Sequence, residues 1–194
     1  MSNSKNYRTI LWIVKSAMLL ALLVAIQFVT YALPASLVPL VKQLITGSLV
    51  NLVLIIGAGS VGFAGAGVAA VLSPVLAFAF AQMTFPPLIP IIMVGNLILV
   101  AITWGGFRTG KGFGKFPRFA TDLGGVIVGS AVKAVFLWAA ISFVAIPLIL
   151  HLPAPVAAKV SLMFSWPQLV TSLVGGVLAL AILPAIRAYQ KGIN

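Results

Sequence analysis

Lys133 lies near the middle of an apolar stretch, Asp122 to Pro147, that is rich in Val, Ala, Ile and Phe. An ammonium at membrane depth disfavours insertion by ~3 kcal/mol or more, so an ionisable residue inside a spanning helix points to a functional site. The bland alternative is a lysine that runs its stem to the interface and keeps its charge wet. With helix entry near Thr121, Lys133 sits about 18 Å in, leaving about 12 Å of a ~30 Å hydrocarbon core beyond it. Reaching water from there strains the side chain, and a functional role is the stronger expectation.

Two amides match that depth. Asn51 is eight residues past Gln43, and Asn96 is eight residues past Leu88. If those residues begin their helices, both amides lie about 12 Å below the outer face. Three polar residues on three helices, at one level, suit a small polar ligand entering from outside. Gln43, Trp166 and Gln168 stand above them at the outer helix ends, although an interfacial aromatic belt explains Trp166 equally well. Gly125 and Gly129, eight and four residues before Lys133, leave its helix face bare, which predicts either a cavity or a close helix contact.

The other chemistry-bearing residues are few. Asp122 is the one carboxylate in the chain, so neither two-carboxylate acid/base work nor an aspartate-rich magnesium site can be built. Buried Asp, Glu or His relays of ion-driven carriers are missing from the spans, which argues against self-powered transport. His151 falls in a loop, where a single histidine is ordinarily solvated. Residues 105–112 read GGFRTGKG, a phosphate-loop pattern up to its last position. Gly112 replaces the magnesium-binding hydroxyl, and a membrane helix precedes the segment where a strand is required, so it reads as a basic surface loop. No cysteine is present, which removes disulfides, thiolate nucleophiles and thiolate metal sites.

The elements that must position these residues are membrane helices. The chain has 194 residues, 62% of them hydrophobic and 7% charged, with a mean hydropathy of +1.21. Those values exclude a soluble globular domain, and long apolar runs favour helices over a barrel. The sequence predicts an all-α, single-domain protein with six transmembrane helices: Ala17 to Leu33, Leu44 to Ala58, a third ending near Gln82, Ile91 to Gly106, the Lys133 helix, and Met163 to Ile186. The first run exceeds a signal-peptide core and is followed by more spans. Glycines 57 to 67 read as a turn, Phe85 to Pro90 as a stiff non-helical connection, and His151 to Lys159 as a loop.

The net charge of +11 would suggest nucleic acid in a soluble protein, but here topology explains it. Lys5, Arg8, Lys15, Arg108, Lys111, Lys115, Arg118, Arg187 and Lys191 share one side under a six-span topology, against Lys42 and Lys159 on the other. The positive-inside bias makes that side, with both termini, cytoplasmic, next to anionic lipid headgroups. Ala17, Ala21 and Ala25 form a small-residue stripe at i, i+4 and i+8, along which another helix can approach closely.

The combination resembles a known family, the substrate-binding S-components of energy-coupling factor (ECF) vitamin transporters. The resemblance rests on six short helices, the Ala17, Ala21, Ala25 stripe, ITGSLVNLVLIIGA at 45–58, LSP at 72–74, PIIMVGN at 90–96 and a lysine in the fifth helix. It implies a cell-membrane subunit, not itself an enzyme and without a cofactor, that binds a vitamin from outside. It also implies partners, a transmembrane scaffold subunit and two cytoplasmic ATPases, with the alanine stripe facing the scaffold. The family's nickel and cobalt members use an N-terminal Met-x-His set, whereas this chain begins Met1, Ser2, Asn3, so no metal is expected. A cation would face Lys133 with nothing to neutralise it, so a neutral or acidic ligand is expected. Within the family that favours hydroxymethylpyrimidine or pyridoxine, then pantothenate or niacin. The rival expectation is a non-transport membrane scaffold or assembly factor whose lysine serves packing alone.

Overall fold

The computed structural model describes residues 2–34, 38–110 and 114–193, and within them every side chain except those of residues 2–5, 8, 115 and 191–193. Lys111 and Gly112, and the side chains of Lys5, Arg8, Lys115 and Lys191, therefore lie outside the described residues.

Among the described residues seven α-helices follow in order: α1 Ser2–Tyr31, α2 Pro39–Ser60, α3 Phe63–Ala79, α4 Ile89–Thr109, α5 Lys115–Ala139, α6 Ala154–Met163 and α7 Trp166–Ile193. No strand occurs among the described residues. Five helical stretches are long and apolar enough to cross a membrane: Thr9–Tyr31, Pro39–Ser60, Pro86–Thr109, Phe116–Leu150 and Ala154–Gln190. The chain is thus an all-helical, multi-pass membrane protein. Where the sequence predicts six spans, α3 has 17 residues, or about 26 Å at 1.5 Å per residue, a little short of a ~30 Å core.

Helix boundaries differ from the sequence expectation for local reasons. The glycine-rich turn shrinks to Val61 and Gly62, the latter at φ 101°, while Gly57 and Gly59 stay in α2 and Gly65 and Gly67 in α3. Pro90 stands in the first turn of α4, where its missing N–H is no loss, and a 3₁₀ turn, Pro86–Leu88, leads into it. Pro155 likewise starts α6, so the stretch read as a loop holds a ten-residue helix. Beyond Ala139, α5 continues through Ala140–Leu150 in wider π-type turns that accommodate Pro147, and His151 ends it in the left-handed region at φ 46°.

α2 is the hub of the bundle, touching α1, α3, α4 and α7, while α5 closes the circle between α4 and α7. Leu23, Val53, Leu54, Ile55, Leu99, Val100, Val126 and Leu183 fill the centre. α1 is the least covered of the five spanning stretches, with 17% of its most apolar window buried against 33–39% in the other four. At one end the start of α1, the end of α2 and the end of α7 come together around a cavity of about 290 Å³ lined in part by Lys15, Ser60 and Gln190. At that same end Arg187 of α7 donates to Asp122 of α5 at 2.7 Å and lies 5.0 Å from the centre of the Phe107 ring of α4. One ion pair therefore ties three helices.

Asp122 is almost fully buried. Removing one partner of a buried pair strands the other, a loss of ~3 kcal/mol or more. Arg187→Met should lower the melting temperature markedly, and adding Asp122→Leu should regain most of it. An additive double variant in thermal unfolding would show that the pair does not couple the helices.

Candidate functional site

The Lys133 ammonium does not reach an interface. Its residue is 3% exposed, and Nζ donates to Asn51 Oδ1 at 2.6 Å. Asn51, on α2, is 2% exposed, and its Nδ2 donates to Thr171 Oγ1 of α7 at 3.2 Å. Thr171 in turn donates to the Gln168 carbonyl at 3.1 Å. Above it, Gln168 Nε2 at 3.4 Å and Gln43 Nε2 at 2.6 Å both donate to the Met163 carbonyl that ends α6. Lys133, Asn51, Gln43 and Gln168 thus belong to one hydrogen-bonded chain running from the middle of α5 to the starts of α2 and α7.

Glycines set how closely these helices approach. A Cβ on Gly175 would fall 2.6 Å from the Ser48 carbonyl oxygen and 3.0 Å from Asn51 Cβ, so α7 lies backbone-close to α2 where the amide meets Thr171. Gly125 and Gly129 make a close helix contact. Cβ atoms built there would meet Gly106 Cα at 3.1 Å and Leu99 and Thr103 side chains at 3.3 Å, so α4 packs against that glycine face of α5.

Two predicted residues stand apart. Asn96 is buried, but its Nδ2 points to the Ala70 carbonyl of α3, at 3.4 Å, and not toward Lys133. Trp166 is 48% exposed at the start of α7. Thr171, Ser130 and Ser172 escaped the sequence reading, although all three are buried. The available signals were Ser130 one turn before Lys133 and the TS pair at 171–172 just ahead of Gly175 and Gly176.

The electrostatics of the pair are unusual. Among the described residues the one salt bridge is Arg187 with Asp122, at the opposite end of α5's buried face. Lys133 has an amide as its partner and no carboxylate. A site of this kind, a buried cation with one neutral acceptor, favours an anion or a strong acceptor and repels a second cation.

In comparisons with known proteins, no family model, no curated protein and no solved structure matches this chain.

Asn51→Leu removes the acceptor and leaves the ammonium buried alone, which should destabilise the protein by ~1–3 kcal/mol. Lys133→Met in that background should restore most of the loss. Unfolding of the two single variants and the double variant gives the coupling directly. Additive losses would mean that the 2.6 Å contact carries no energy.

Proposed function

We propose that this chain is the substrate-binding membrane subunit of an ECF-type importer, which takes a small water-soluble vitamin or precursor from outside the cell. On this reading it has six passes and both termini in the cytoplasm. ATP hydrolysis belongs to two partner ATPases coupled through a membrane scaffold subunit. The observation that carries the reading is the Lys133 to Asn51 hydrogen bond, a polar pair buried among α2, α5 and α7 with no carboxylate to neutralise it. A lysine kept at that depth needs a use, and binding a polar ligand provides one.

Two further observations support it. Ala17, Ala21 and Ala25 are all exposed, so the small-residue face of α1 lies outside the bundle and is free to receive another helix. The chain also has a single acid, already paired with Arg187, which leaves no free carboxylate to couple uptake to ions and agrees with an energy source outside this chain.

Binding of a radiolabelled vitamin by the purified subunit alone tests the reading, and silence across a vitamin panel would favour a scaffold or assembly factor instead. With the ligand in hand, Lys133→Met should weaken binding by ~1.5–3 kcal/mol through loss of a charge-assisted hydrogen bond. Ala21→Trp should abolish uptake in cells while the isolated subunit binds normally. If its binding falls as far as uptake, the stripe is not a partner face.

A further inference from the structure

Two serine hydroxyls close to the Lys133 pair have no hydrogen-bond partner. Ser130 on α5 and Ser172 on α7 are both completely buried, and the Oγ of each is unsatisfied. Helix register places them across from one another. α5 and α7 run antiparallel: Asp122 meets Arg187 at the basic end, and Gly176 packs directly on Val126 further in. One turn beyond that contact, four residues up α5 and four back along α7, come Ser130 and Ser172.

Lys133 follows Ser130 by three residues, on the same helix face. A long helical side chain lies over the turn N-terminal to its own Cα, which carries the ammonium back toward the serine level. Of its three N–H bonds, one goes to Asn51, and the other two go to no described residue. Asn51 Oδ1 is taken by Lys133, and Asn96 is turned to α3. What remains is the Lys133 ammonium with two unused N–H bonds and two hydroxyls that can donate or accept.

A buried hydroxyl without a partner destabilises a fold, and native proteins hold few of them. An ammonium with two unused N–H bonds, at the level of two hydroxyls free to donate, fits a group that accepts. An ionised carboxylate has two oxygens with about four lone-pair sites and gains charge-assisted bonds from an ammonium. A neutral heterocycle could exchange hydrogen bonds with the two hydroxyls but would gain no ion pairing with the ammonium. We propose that Lys133, Ser130 and Ser172 form a carboxylate-binding site, and that the ligand is a small water-soluble monocarboxylate in preference to a neutral ring alcohol. The inference rests on the transport reading for the arrival of the ligand from outside, whereas the recognition chemistry stands on the three side chains.

Matched acid and neutral probes test it on the purified chain in lipid nanodiscs: nicotinate against nicotinamide, pantothenate against pantothenyl alcohol, with pyridoxine and hydroxymethylpyrimidine alongside. One acid should bind, and its neutral counterpart should bind about 100-fold more weakly or not at all. Ser130→Ala and Ser172→Ala should each weaken the acid about tenfold while leaving the melting temperature of the ligand-free protein equal or higher, because each removes an unpaired buried hydroxyl. If a neutral probe binds as tightly as its acid, or both serine variants bind the acid like the wild type, the carboxylate site is overturned and the transport reading survives. A second measurement does not need the transported ligand. In solid-state NMR, ¹³C-acetate should show a dipolar contact to a lysine ¹⁵Nζ that disappears in Lys133→Met. Contact with a silent panel supports the carboxylate site and overturns the transport reading, and silence in both overturns both.

Discussion

The constraint on which the rest of the structure depends is the shortage of carboxylates. Twelve Lys and Arg residues face a single acid, and that acid is committed to Arg187. Most of the cations can sit at helix ends, where headgroups and water solvate them. Lys133 cannot, because α5 carries it between α2, α4 and α7. Its ammonium is held by an amide at 2.6 Å, which satisfies one donor but leaves the charge uncompensated. Breaking a buried polar contact of this kind strands its partner, so the pair specifies how α2 and α5 meet even where it adds little net stability.

Close approach between backbones makes the pair feasible. Gly175 lets α7 lie against α2 beside Asn51, and Gly106 and Gly125 let α4 and α5 touch at their backbones. In a lipid environment no hydrophobic drive separates helix from helix and helix from acyl chain, so small residues at such crossings supply the packing. Asn51 then reaches Lys133 on one side and Thr171 on the other. The same hydrogen-bonded chain extends to the Met163 carbonyl, where Gln43 and Gln168 converge. This links the closed polar pair to the outer ends of α2, α6 and α7, the side from which a ligand would come on the proposed reading.

Much of this was legible from depth and little from azimuth. Counting residues along two helices put Asn51 and Lys133 at one level, and they are bonded. The same count put Asn96 there too, yet it faces α3, because 1.5 Å per residue fixes height while the direction of a side chain depends on which neighbour its helix packs against. Gly125 and Gly129 left two options open, and only the α4 contact decides between them. Prolines misled at two places. Pro90 and Pro155 were read as breakers, whereas each stands in the first turn of a helix, where the ring's fixed φ is an advantage. The signals at Ser130, one turn before Lys133, and at Ser172, just ahead of Gly175 and Gly176, were weak, since serines are common in membrane helices and an unpaired hydroxyl is visible only once its surroundings are known.

The two ends of the bundle use charge differently, and that division bears on how such a subunit would work. At the basic end Asp122, Arg187 and Phe107 lock α4, α5 and α7 with the chain's single ion pair. At the level of Lys133 the same α5 and α7 carry unpaired hydroxyls beside the ammonium instead. Coulomb energy at close range in a low-dielectric interior far exceeds its value in water, so moving the lone carboxylate up to Lys133 would satisfy the ammonium internally and remove its preference for an anion. Keeping the acid away from the lysine is, on the proposed reading, what leaves the Lys133 site receptive to an anion. On the proposed reading the ligand itself provides the missing negative charge, and a chain with no further carboxylate must obtain the energy for release from its partners.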